Sequence, residues 1–191
     1  MSDTEKKALI LLAEGFEEIE ALATSDILKR MGVKVTLAAI GEKMVKSSAG
    51  TKVEADTLLS AIKDPVSFDA LIFPGGLPGA TNLRDDALTG KILLEMEKAN
   101  KIIAAICASP AAVLGSAKIL RGRKITGYPT TESLSTGDEV TLTGDRAFRD
   151  GNIVTGKGPG ATFDFAFLTG EAMGIPGETI ASVKEKMFIK E

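Results

Sequence analysis

The stretch Lys101–Ala112, K-I-I-A-A-I-C-A-S-P-A-A, constrains the fold of this chain more than any other. An unbroken apolar run leads straight into Cys107, the only cysteine in the sequence. A run that is apolar at every position predicts a strand covered on both faces. The alanine-rich segment after Ser109-Pro110 predicts a helix. Strand, nucleophile and helix, with small residues two before the cysteine (Ala105) and two after it (Ser109), have the grammar of a nucleophile elbow. Such a turn holds the reactive atom at a helix N-terminus, where backbone N–H groups and the helix dipole favour thiolate over thiol. Cys107 is therefore read as a nucleophile or redox centre, against the alternative of an inert, buried small hydrophobe.

Composition narrows the chemistry. The chain has 191 residues, 44% of them hydrophobic and 26% charged, as expected of one globular domain spanning residues 1–191 with a substantial core. A net charge of −3 leaves no general basic surface and argues against electrostatic nucleic-acid binding. The cations of Lys118–Lys124 read as a solvated loop. A single cysteine excludes an intramolecular disulfide. The polar start M-S-D-T-E-K-K is unlike a signal peptide and no apolar run reaches membrane-spanning length, so a cytoplasmic location is expected. Histidine is absent altogether. That removes Ser-His-Asp and Cys-His hydrolysis in their usual forms, and His-ligated zinc or iron. No metal is expected, and acid–base work falls to carboxylates, Tyr, Lys, the cysteine or water.

Along the chain, Ala8–Ala13, Val33–Ile40, Asp69–Phe73 and the run into Cys107 predict buried strands. Phe16–Met31, Asp86–Asn100, a segment opened by Gly158-Pro159-Gly160 and running to Met173, and Glu178–Met187 predict helices. Val45–Val53 and Ala147–Thr155 read as hairpins, the second turning on Asp150-Gly151-Asn152. Asp56 is placed as the cap of a short helix through Ile62, and Lys124–Gly127 and Val140–Leu142 as short strands. Strands alternating with helices predict an α/β fold: a doubly wound, mainly parallel sheet with helices on both faces. Ligands of such sheets bind beyond the carboxyl ends of the strands. The segments leaving those ends are Glu14–Glu20, Pro74–Ala80 and Cys107–Pro110.

Glu20 is the carboxylate of interest. On a helical wheel, Phe16, Ala23, Thr24, Ile27 and Met31 fall within roughly 60° of it, whereas Glu18 projects away. A carboxylate in the middle of an apolar face is desolvated and held toward its protonated form, able to donate to a thiolate or shuttle protons. The competing reading is an offset helix with Glu20 paired to Lys29 or Arg30. Gly75 and Gly76, with Ala108, offer backbone N–H groups of the kind that stabilise an oxyanion, although P-G-G is commonly a simple turn. Gly158-Pro159-Gly160 is either an anion-facing helix terminus or a tight entry. Tyr128, before Pro129, either lines the pocket with its hydroxyl or packs at a turn.

Four markers, A-E-G-F-E-E-I-E (13–20), F-P-G-G (73–76), A-A-I-C-A-S-P (104–110) and the late G-P-G (158–160) before a helix, make the whole chain resemble the ThiJ/PfpI superfamily. More narrowly it resembles the DJ-one branch, which includes the Parkinson-disease protein and the protein deglycases. The resemblance implies a flavodoxin-like fold and a homodimer with helix Phe16–Met31 as the candidate interface. It implies a reactive cysteine at Cys107, a partner glutamate at Glu20, and N–H donors at Gly75, Gly76 and Ala108. Two departures stand out. Relatives with a Cys-His pair often carry histidine directly after the cysteine, where this chain has Ala108. The branch often places a histidine before a proline near the cysteine, where this chain has Tyr128. A protease or amidotransferase is therefore not expected. Two expectations remain. One is a cofactor-free enzyme of glyoxalase III or deglycase type in stress protection. It would take a small carbonyl substrate such as methylglyoxal as a hemithioacetal on Cys107, with Glu20 moving the proton. The other is a redox-sensing or chaperone-like protein whose Cys107 oxidises to a sulfinate held by Glu20.

Overall fold

The computed structural model describes residues 5–131 and 140–189; Met1–Thr4 of the N-terminal stretch lie outside the described residues. Chain order begins with β1 (Lys7–Leu12), α1 (Glu18–Arg30), β2 (Lys34–Ala39), and a small hairpin of β3 (Met44–Lys46) and β4 (Lys52–Glu54). It continues with β5 (Thr57–Leu58), β6 (Ala70–Phe73), α2 (Gly79–Asp85), α3 (Ala87–Lys98) and β7 (Ile102–Ile106). A helical segment of π type, Pro110–Gly115, follows the cysteine. Then come β8 (Lys124–Ile125), β9 (Thr141–Leu142), β10 (Ala147–Asp150), β11 (Ile153–Gly156), α4 (Thr162–Ala172) and α5 (Gly177–Lys186).

Seven strands form one sheet in the order β10-β11-β7-β6-β1-β2-β5. All neighbours are parallel except the edge hairpin β10–β11. Among the five longer parallel strands, the first in sequence lies between the second and the third. This is the flavodoxin-like winding, whose switch point opens between β1 and β6.

The alternation of side chains along β1 explains why helices cover both faces. Ala8, Ile10 and Leu12 pack with Ile27 and Leu28 of α1, Met31 just after it and Phe165 of α4. Leu9 and Leu11 pack with Leu83, Leu93, Met96 and Val113 of the opposite layer. A central strand buried on both sides must be apolar throughout, and β1 has lost nearly all solvent contact.

Two local expectations are corrected. Asp56 caps no helix: its Oδ2 accepts the Leu37 N–H at 2.8 Å, which docks β5 beside β2. Residues after it form a 3₁₀ turn, Leu59–Ala61. Lys124–Gly127 is strand only over Lys124–Ile125, which pairs parallel with Thr141–Leu142.

Candidate active site

Three segments converge at the carboxyl ends of β1, β6 and β7, the central strands at the switch point. Cys107 follows β7 in the left-handed region, at φ 65°. A non-glycine residue there costs of order 1–2 kcal/mol, so the surroundings must hold it. They do so with three bonds. The Cys107 N–H donates to the Gly156 carbonyl at 2.9 Å, the Cys107 carbonyl accepts the Tyr128 N–H at 2.8 Å, and Ser109 Oγ donates to the Pro74 carbonyl at 2.5 Å. The small residue two after the cysteine thus ties the elbow to the neighbouring loop.

Glu20 sits in the first turn of α1 and is 1% exposed. Arg30, one of the cations considered as its partner, is bonded to Asp26 instead. Oε2 of Glu20 accepts the Gly75 N–H at 2.7 Å, and Oε1 is buried without a conventional hydrogen-bond partner. Burial pushes the carboxyl up to about 7; the Gly75 N–H opposes this, the charge of Glu17 adds to it, and a hydrogen bond with Cys107 opposes it. The cysteine responds in kind. Burial pushes the thiol up to about 12, with the negative charge of Glu20 adding to the rise, while the N–H groups of Gly76 and Ala108 pull it down. The sequence favoured a thiolate at the helix terminus. In the structure, burial and a facing carboxylate outweigh the two N–H donors. The pair is a thiol and a carboxyl group within hydrogen-bonding reach, with the more labile proton on Glu20.

The two glycines of the loop divide their N–H groups between the carboxyl and the thiol. Gly75 was expected as an oxyanion donor, but its N–H is taken by Glu20. Gly76 and Ala108 direct theirs toward Cys107. Glycine is required at 75 by close approach: an added Cβ would stand 2.5 Å from Cys107 Cβ and 2.8 Å from Glu20 Oε2.

Tyr128, Gly158 and Pro159 come together on the outer side, where they line a hollow of about 250 Å³ with Arg146 and Lys157. The tyrosine is 49% exposed, and its ring lies against Gly158. The G-P-G segment enters α4 through a 3₁₀ turn, Pro159–Ala161, and its Gly160 carbonyl is bonded by Arg146, which also pairs with Asp164 at 2.6 Å. That favours the tight-entry reading of this segment. Among the described residues, no group of Cys, Asp and Glu could hold a metal ion, and no helix is long and apolar enough to cross a membrane.

One participant was missed. Glu17 caps α1, its Oε2 accepting the Glu20 N–H at 2.7 Å. An acidic residue three positions before a buried glutamate was the available signal.

A model of the DJ-1/PfpI family matches residues 6–172. The chain is 34% identical over 189 residues to the Parkinson disease protein 7 homolog of Danio rerio, covering 97% of this chain and 98% of that one. It is 33% identical over 187 residues to the glutathione-independent glyoxalase DJR-1.2 of Caenorhabditis elegans, again covering 97% and 98%. The crystal structure of Drosophila melanogaster DJ-1beta matches with a TM-score of 0.88 at 32% identity, over 98% of this chain and 100% of that one. Toxoplasma gondii DJ-1, in a structure described as oxidized, matches at 0.86 and 32%, over 97% and 100%. An elbow cysteine facing a buried glutamate at the switch point, on a fold shared over nearly the whole length, agrees with these likenesses: the chain belongs to the DJ-1/PfpI family.

Proposed function

We propose that this protein is a cysteine-dependent, cofactor-independent enzyme acting on reactive α-oxoaldehydes such as methylglyoxal, free or as early adducts on amines and thiols. The observation that carries the reading is the buried carboxyl of Glu20 within hydrogen-bonding reach of the strained Cys107, with one oxygen fixed by the Gly75 N–H. A relative named as a glutathione-independent glyoxalase supports it.

The chemistry needs a base that becomes an acid, and a group titrating at about 7 is suited to both. Sulfur bonds to the aldehyde carbon while the thiol proton passes to Glu20 and on to the former aldehyde oxygen, giving a hemithioacetal. A raised thiol pKa is no obstacle, because the proton leaves as the C–S bond forms. The Gly76 and Ala108 N–H groups lie beside the sulfur and limit charge build-up there. Glu20 then removes the proton from the sulfur-bearing carbon and returns it to the adjacent carbon through an enediolate. The aldehyde carbon ends as a thioester and the ketone as an alcohol. Oxidation and reduction are internal to the substrate, so no external redox partner enters. Water cleaves the thioester, releasing a 2-hydroxy acid and restoring the thiol. Purified protein should convert methylglyoxal to lactate, and Cys107→Ser should fall to the uncatalysed background; equal rates for the two would sink the proposal.

A second reading is favoured by the relative described as oxidized. In it, peroxide converts Cys107 to a sulfinate whose oxygens take the Gly76 and Ala108 N–H groups and a proton from Glu20, and the change is read by a partner. Intact mass after mild peroxide should show two added oxygens on Cys107 that Glu20→Leu abolishes. As for assembly, α1 presents Ile19 and Leu22 to solvent, 53% and 37% exposed, which supports a second copy docking there. Light scattering should then give twice the chain mass, reduced by Ile19→Glu.

A further inference from the structure

A helix that begins with a capping residue and has glutamate three positions on commonly closes a capping box. In that motif the first side chain takes the N–H of the glutamate, and the glutamate reaches back to the N–H of the first residue. In α1 only half of the box closes. Glu17 Oε2 accepts the Glu20 N–H at 2.7 Å, as the motif requires. The Glu17 N–H, which Glu20 would ordinarily take, instead donates to the Gly75 carbonyl at 2.9 Å. The same Gly75 residue then donates its own N–H to Glu20 Oε2 at 2.7 Å. Gly75 is thus inserted into the box, and the three residues form a closed ring of hydrogen bonds. The ring turns the Glu20 carboxyl away from its own helix terminus and toward the elbow.

We propose that Glu17 is a positioning residue of the site: its carboxylate orients Glu20 toward Cys107 and biases it toward holding a proton. The bias follows from charge. Glu17 and Cys107 are the titratable groups acting on Glu20, and the loop after β6 contributes only the Gly75 N–H. From α4, packed against α1, the buried contact residues are uncharged, and Asp164 is paired with Arg146. Glu18 is turned away to the β3–β4 hairpin, where Thr51 Oγ1 donates to it at 3.2 Å. A negative Glu17, hydrogen-bonded directly to the Glu20 N–H, therefore opposes ionisation of Glu20, and Glu17 is itself held above its ordinary range by burial, against the Glu20 N–H, with the charge of Glu18 adding. Glutamate at 17 serves as both cap and charge; serine or glutamine would serve only as a cap.

This assignment rests on the proposed proton-shuttling role of Glu20, but it is tested without substrate. The Glu20 carboxyl carbon can be followed by NMR across pH in protein labelled at glutamate, with Glu20→Gln identifying the resonance. Glu17→Gln and Glu17→Ser both keep an oxygen for the Glu20 N–H and remove the charge. Each should lower the Glu20 midpoint, and should lower the acidic limb of lactate formation by the same interval. An unchanged midpoint in whichever of the two folds overturns the proposal, even if catalysis is impaired. A lowered midpoint in the variants, where the wild-type protein itself makes no lactate, supports it while overturning the glyoxalase reading.

Discussion

The two walls of the cysteine site are built differently. The inner wall, made by the start of α1 and the loop after β6, is a ring of backbone and carboxyl hydrogen bonds between 2.7 and 2.9 Å with no room for one more carbon. The outer side, made by a half-exposed Tyr128 and the Gly158–Pro159 segment, lines a hollow of about 250 Å³. It meets the elbow through backbone, by the Tyr128 N–H on the Cys107 carbonyl. A tight wall fixes a proton to within a fraction of an ångström, which catalysis demands. Under the proposed function, the contrast assigns proton transfer to the inner wall and leaves the outer one free to differ in shape.

Substitutions should separate the walls. Glu20→Gln keeps an acceptor for Gly75 but removes the exchangeable proton, so lactate formation should fall about 10²–10⁴-fold, the usual range for losing a general acid–base group. Gly75→Ala drives a methyl into Cys107 and Glu20. It should lower the rate about 10²-fold and stability by about 1–3 kcal/mol in urea unfolding; wild-type behaviour would mean that the inner wall is more compliant than its distances imply.

The inner wall should also be visible in stability alone. Glu20 is raised from 4.5 to about 7, so the folded protein holds this proton more tightly than the unfolded chain. The associated stability is fully present below pH 4.5 and is lost as pH rises through about 7. The loss amounts to about 3 kcal/mol, and Glu20→Gln should abolish that slope. The smallest effect belongs to the outer wall: Tyr128→Phe should change kcat/KM by no more than about twofold, equivalent to ~0.5 kcal/mol. A large loss there would put the tyrosine hydroxyl into the chemistry and erase the contrast.

The legibility of the sequence divides along the same line. The buried strands, the helices and the burial of Glu20 follow from periodicity, because apolar runs and helical phase report directly which residues leave water, whereas the elbow was legible from the small residues around Cys107. The direction of a glycine N–H leaves no such trace. Nothing in P-G-G distinguishes Gly75, which binds the carboxylate, from Gly76, which faces the sulfur. The seven-residue α2 was hidden for a related reason: its apolar residues are too few to set a period, and its start overlaps the glycine loop. Asp56 was misplaced because a capping residue and a strand-docking residue use the same side chain oxygen, and only the tertiary partner, Leu37, decides between them.

The left-handed backbone at Cys107 also bears on synthesis of the protein. Its two nearest restraints come from Tyr128 and Gly156, both later in the chain. A nascent chain that has already delivered Glu20, Gly75 and Cys107 from the ribosome still lacks β11 and the Tyr128 segment. During that interval the cysteine has its neighbours in sequence but not its geometry, and it should react as an ordinary thiol. The last third of the chain thus completes the elbow without contributing an atom to the Glu20–Cys107 pair.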